Sequence, residues 1–211
     1  MQTYVINLTH RPERLERTIN EIKKVGITNY KVIPAFNINN WGVKPEKSLT
    51  HTWSSLGCTL SHWFAIKSGI MDGEEEVLIF EDDVLIPEDI NIEKLKSEAP
   101  KDWDVLFYGW QIYDGKVDVW QDYKPTDKWG KVANSYGSHF VLCRNLKQID
   151  KLFENSKMTH QIDDEFRMWD IEGELNMYYL RKGQAKQYGH TIETKKDWST
   201  DIQTNFKPKF D

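Results

Sequence analysis

The chain has 211 residues, with 28 Lys+Arg against 33 Asp+Glu and a formal net charge of −5. That length suits a single domain, and nine each of Trp, Tyr and Phe exclude disorder as the main theme. The acidic balance argues against a general nucleic-acid surface.

Tyr4 to Leu8 reads as a buried strand, and Pro12 suits the first position of a helix whose apolar face is Leu15, Ile19 and Ile22. Gly26 is placed to end that helix. Tyr30 to Phe36 reads as a second strand broken by Pro34, and residues 37–52 as a loop. Ser54 or Ser55 can cap a helix running to about Met71, with Leu56, Leu60, Trp63 and Phe64 as its apolar face. Val77 to Phe80 is the clearest buried strand, and Asp104 to Tyr108 is another. The segment 110–130 is ambiguous; its tryptophans Trp110, Trp120 and Trp129 suit either a core or the lining of a groove. Phe140 to Cys143 reads as strand, Leu146 to Phe153 and Asp164 to Trp169 as helices, and Met177 to Leu180 as strand. Strands alternating with helices predict an α/β fold with a largely parallel sheet over residues 1–195, followed by a polar tail, 196–211. In such sheets ligands sit beyond the carboxyl ends of the strands.

Cys58 and Cys143 lie among apolar neighbours and read as two small buried thiols of a reducing compartment. No run approaches the ~18 apolar residues of a membrane span. The first residues lack a basic-then-apolar leader, so the expectation is a cytoplasmic protein, at most peripheral at a membrane surface.

The sharpest local feature is VLIFEDDV, in which four apolar residues run straight into Glu81, Asp82 and Asp83. Alternation along an extended chain puts Glu81 and Asp83 on one side and Asp82 on the other. Three such carboxylates repel unless a cation or hydrogen-bond donors compensate. Hard ions such as Mg²⁺ or Mn²⁺ take one or two carboxylates plus phosphate oxygens, so the pattern points to a metal beside a diphosphate. A solvated acidic turn gives the same pattern. Neither a G-x-x-x-x-G-K-[ST] loop nor a G-x-G-x-x-G turn is present, so the two common nucleotide cradles are missing.

The ordered series VINLTHRPERLER, GCTLSHWFAI, VLIFEDDV, DWDVLFYG and YGSHFVL resembles glycosyltransferase family 25, over residues 3 to 182. That family includes lipooligosaccharide and collagen galactosyltransferases. The resemblance implies a GT-A type α/β fold. It also implies metal-dependent, inverting transfer of a hexose (galactose or glucose) from a UDP-sugar donor to a glycan, lipid-linked or protein-linked hydroxyl, with no nucleic-acid partner. By that likeness Asp83, with Glu81, ligates Mn²⁺ or Mg²⁺, while Glu81 and Asp82 position the donor sugar or ribose. Asn7, Arg14 and Arg11 match the opening motif beside the nucleotide, where solvation on a helix surface is the alternative for the arginines. Ser61 and His62 match the second motif, and His62 is either a donor contact or a satisfied core histidine. His139 matches a later motif whose following Gly-Tyr is here Phe140-Val141. His190 is a late candidate for metal or diphosphate.

An inverting displacement also needs a carboxylate to take the acceptor's proton. Ile162-Asp163-Asp164-Glu165 supplies acids at a helix start; Asp164 aligns best with the family's Asp, with Asp163 in reserve, and plain N-terminal capping is the alternative. Two other classes stay open: a divalent-ion phosphotransferase or nuclease, and a sugar- or nucleotide-binding pseudo-enzyme.

Overall fold

A computed structural model describes residues 1–38, 53–112, 126–131, 135–158, 160–182 and 184–188. Residues 39–52 of the expected loop, Trp120, His190 and the C-terminal tail lie outside these residues.

Strand β1 (Gln2–Asn7) is buried along its whole length and leads into α1 (Pro12–Lys24). Proline at the first position of α1 and Gly26 at φ 82° just past its end match the expected start and stop. β2 (Lys31–Pro34) ends at its proline, and α2 (Trp53–Met71) follows. β3 (Glu76–Glu81), β4 (Val84–Leu85), α3 (Ile92–Ser97) and β5 (Val105–Ile112) come next. The chain is completed by β6 (Trp129–Gly130), β7 (Ser135–Arg144), α4 (Leu146–Asn155), α5 (Ile162–Ile171), β8 (Met177–Leu180) and β9 (Lys186–Gln187).

The main sheet has the order β2-β1-β3-β7-β5-β8-β6, and β4 pairs with β9 in a small separate ribbon. β1 runs parallel to both β2 and β3, and β5 runs parallel to β8. β7 lies antiparallel between β3 and β5, so those two share a direction. The sheet is therefore mixed but mostly one-directional. One face packs Tyr4, Ile6, Val77 and Ile79 against Ala65, Ile66, Ile149, Phe153, Phe166 and Trp169 of α2, α4 and α5. The other packs Val5, Leu78 and Phe80 with Ile22, Ile92, Trp103 and Trp129. Trp110 and Trp129 are core residues whose indole N–H groups donate to the carbonyls of Leu180 and Leu95, so neither lines a sugar groove.

The helix α2 departs from expectation on two points. It begins at Trp53, so Ser54 and Ser55 are inside its first turn rather than capping it. Its inward face is also not the one that hydrophobicity picks out. Phe64 is exposed, whereas Ser55, Thr59, His62 and Ile66 are buried, one to two turns apart. Small residues let this helix sit close: a Cβ on Gly57 would lie 2.3 Å from the Phe36 carbonyl oxygen, and one on Gly69 would lie 2.2 Å from Val77 Cγ1. Ser61 is buried at the same seam, where its hydroxyl donates to the Gly57 carbonyl (2.6 Å) and accepts from the Phe36 N–H (2.9 Å). Because the atom facing Gly57 is main chain, Gly57→Ala has no flexible side chain to displace. We expect it to cost about 3 kcal/mol and to lower the melting temperature by roughly 6–12 °C. A thermal shift within about 2 °C of the native protein would mean that the seam yields and that close approach at Gly57 is not required.

Candidate active site

Asn7 ends β1 and Glu81 ends β3, and β7 enters antiparallel, so Gly137, Ser138 and His139 arrive at the same carboxyl edge. The register of β7 against β5 shifts twice here, between Phe107 and Gly109 and between Gly109 and Gln111, and Gly137 sits at φ 94°. Bulges of this kind re-aim side chains. Ser138 accordingly donates to Glu81 Oε1 at 2.7 Å, while the His139 ring lies against the other strands, 3.2 Å from the Ala185 carbonyl. Gly109 makes room for that ring, since a Cβ there would fall 2.4 Å from His139 Nε2.

The three acids do not stand as strand alternation predicts. β3 ends at Glu81 and the chain turns, so Asp82 and Asp83 both swing toward α1 while Glu81 alone faces α2. Asp82 is buried and doubly held: Asn7 Nδ2 donates to its Oδ2 (2.7 Å) and Arg14 pairs with its Oδ1 (2.7 Å). Burial nevertheless holds its carboxyl above the ordinary range, against the pull of Arg14 and Asn7. Asn7 also donates to the Arg11 carbonyl (3.0 Å), pinning the loop ahead of α1. The side chain of Arg11 lies 3.8 Å from Glu13.

Asp83 is buried, 3.3 Å from Arg14 through Oδ2, and its Oδ1 is buried with no hydrogen-bond partner among the described residues. Burial, then the neighbouring Glu81 charge, push its carboxyl up to about 8, against Arg14. A carboxylate oxygen left without a donor in an acidic turn fits a hard divalent cation. Arg17 approaches the Asp82 carbonyl (3.4 Å) and stacks on the Tyr188 ring (3.7 Å to its centroid), while the Tyr188 N–H donates to the Asp83 carbonyl. The β4–β9 ribbon thereby straps the acidic turn to α1.

Glu81 has a different set of neighbours. His62 Nε2 lies 3.0 Å from its Oε1 and Cys58 Sγ lies 3.7 Å away. Although burial opposes ionisation, the bonds from His62 and Ser138 pull Glu81 down to about 2. His62 is thus fully buried and bonded to an acid of the site rather than to an apolar shell. Cys58 is only half-buried, a correction to the expected buried thiol; Cys143 is fully buried. Burial and the nearby Glu81 charge hold the Cys58 thiol well above its usual range. Cys58 was missed as a member of the site, yet its spacing from His62, four residues on a helix, was a readable signal.

At the start of α5 the two candidate bases diverge. Asp163 is buried and turned to the sheet, where Oδ2 accepts the Gly137 N–H (2.8 Å) and Oδ1 the Asp164 N–H (3.0 Å). Burial raises its carboxyl to about 6, against the Gly137 bond and helped by Asp164. Asp164 is half-buried and paired with Arg167 at 2.6 Å, one turn along its own helix. Glu165 accepts from Ser156 Oγ and the His160 N–H, tying down the preceding loop.

The family model of glycosyltransferase family 25 (LPS biosynthesis protein) matches residues 1–126. The chain is 29% identical over 134 residues to the human "inactive glycosyltransferase 25 family member 3", an alignment that takes in 51% of this chain and 21% of that protein. It is 26% identical over 128 residues to mouse "procollagen galactosyltransferase 2", covering 51% of this chain and 20% of that one. The matched region thus spans about a fifth of the length of these curated relatives. Among solved structures, a glycosyltransferase involved in glycosylation of the major capsid of PBCV-1 superposes with a TM-score of 0.54 at 6% identity, over 92% of this chain and 95% of that one. The mixed, mostly one-directional sheet with flanking helices and this superposition agree with the GT-A type fold expected from the motifs. With the family model covering more than half its length, the chain belongs to glycosyltransferase family 25.

Proposed function

We propose that this chain is a metal-assisted, inverting glycosyltransferase that moves a hexose, galactose or glucose, from a UDP-sugar to a hydroxyl of a glycan, lipid-linked or protein-linked acceptor. The observation that carries the reading is the acidic turn at the carboxyl edge, locked to the opening motif through Asn7 and Arg14 while one Asp83 oxygen has no partner among the described residues. Asp83 Oδ1 would hold a hard cation of the Mg²⁺ or Mn²⁺ class. Such a cation would supply positive charge to offset that of a departing diphosphate. The chain's own residues do the rest. Asp82 holds Arg14 beside the turn, and Arg14 with Arg17 supplies positive charge next to it. Ser61 ties α2 to the main chain at Phe36, its O–H donating to the Gly57 carbonyl and its oxygen accepting the Phe36 N–H. Asp163, buried and raised toward neutral pH, takes the acceptor proton in preference to Asp164, which is tied to Arg167.

A second reading has a specific basis, since one relative is named inactive: the chain binds a nucleotide-sugar without transferring it. A thermal-shift panel of UDP-, GDP-, CMP- and dTDP-sugars with and without Mn²⁺ tests both, because a ligand that binds only the native state raises its apparent stability. We expect stabilisation by a UDP-hexose only when Mn²⁺ is present. Equal response to every nucleotide, or none to any, overturns the donor assignment; a Mn²⁺-dependent response without turnover favours the second reading.

A further inference from the structure

We infer that Cys58, His62 and Glu81 form a binding site for a zinc-class divalent ion, separate from the hard-cation position at Asp83. The three contribute a thiol, an imidazole and a carboxylate whose donor atoms all lie within 4.8 Å of one another. Two of the spacings are 3.7 Å, from Sγ to Oε1, and 3.0 Å, from Nε2 to Oε1. A tetrahedral ion with ordinary zinc bond lengths spaces its ligands about 3.3–3.6 Å apart, so the trio needs shifts of only a few tenths of an ångström at those two edges. Cys58 and His62 are one helical turn apart on α2, and Glu81 closes the triangle from the end of β3, so three ligands come from two rigid elements. Ser138 donates to Glu81 and fixes the orientation of that carboxylate.

The chemistry separates this position from the acidic turn. Thiol and imidazole donors suit zinc or cobalt and are poor ligands for Mg²⁺ or Mn²⁺. Asp82 and Asp83 turn toward Arg14 on the other side of the strand end, so the triplet divides, with Glu81 serving α2 and Asp83 the opposite side. On binding, the thiol gives up its proton to solvent and coordinates as thiolate. Three protein ligands leave a fourth position for water. The inference stands apart from the transferase reading, because it needs neither a donor nucleotide nor turnover.

Co²⁺ serves as the spectroscopic probe, added alone to the full chain. Binding at one equivalent should give a thiolate-to-cobalt charge-transfer band in the near ultraviolet with the intense visible bands of a tetrahedral site, and Zn²⁺ should displace it. Cys58→Ser should remove the charge-transfer band and weaken Co²⁺ binding by roughly 100-fold or more, beyond what losing an outer hydrogen-bond partner costs. His62→Gln, checked for retained fold by circular dichroism, should weaken binding comparably. Asp83→Asn should leave the band in place while abolishing Mn²⁺-dependent stabilisation by UDP-sugars, so failure of this site and failure of the donor site are told apart. Absence of a thiolate band in the native protein, its persistence in Cys58→Ser, or its loss in Asp83→Asn overturns the assignment.

Discussion

Replacing Asp163 by Asn should reduce sugar transfer by about 10²–10⁴-fold while UDP-sugar binding, measured by thermal shift, stays near the native level. The amide is nearly isosteric, and its carbonyl oxygen can still accept the Gly137 N–H that holds α5 to the bulge in β7. What it cannot do is take a proton. Asp164→Asn removes only an exposed-side ion pair with Arg167 and should cost less than about tenfold. The pH profile provides a readout that a structural role would not move. A base must be ionised to act, and burial sets the Asp163 carboxyl near 6. Native kcat should therefore rise with pH through about 6 and level off above it, and the residual activity of Asp163→Asn should lack that rise. If Asp164→Asn carries the larger loss, or if Asp163→Asn keeps the pH rise, the base lies elsewhere.

That contrast between neighbours marks where the sequence was legible and where it was not. Motif alignment favoured Asp164, because the register of a helix start can be read only to within a residue. The proposed preference for Asp163 over Asp164 rests on the bulge at Gly137, a tertiary feature with no local signature beyond a glycine. The strand β3 and its acidic end were readable because four consecutive apolar residues need burial on both faces and three acids need an end to it. α1 was readable from Pro12 and Gly26, whose backbone preferences act locally. The inward face of α2 was not, since hydrophobic periodicity points to Phe64 and Leu60, whereas the helix buries serine, threonine, glycine and histidine to approach the sheet edge. The two-residue strands β4, β6 and β9 were not anticipated either, for they exist only through partners distant in sequence. The alternation rule failed at Asp83 because it presumes an extended chain, and the chain turns one residue earlier.

Asp83→Asn should trade activity for stability, with opposite signs that one substitution exposes together. Asp83 is buried among Glu81 and Asp82, with Arg14 and Arg17 as the opposing cations, and its carboxyl is pushed up to about 8 from an ordinary 3.8. A carboxyl raised in the folded state favours its neutral form there, so its contribution to stability is fully present below its unfolded pKa. That contribution is lost as pH rises through the folded value. Between pH 3.8 and about 8 the native protein therefore gives up stability that the Asn variant keeps. The melting temperature of Asp83→Asn should match the native protein at acid pH and exceed it by a margin that widens toward about pH 8. Adding Mn²⁺ should reverse the order, because a cation stabilises the ionised carboxylate and the amide offers it far less. Turnover with UDP-sugar and Mn²⁺ should fall by about 10²–10³-fold, the scale of losing charge stabilisation at a leaving group. A variant that melts below the native protein at alkaline pH without metal would contradict the burial argument. One that keeps more than about a tenth of native turnover, against that expected loss, would remove Asp83 from the cation's coordination and leave the acidic turn as a scaffold for Arg14 alone.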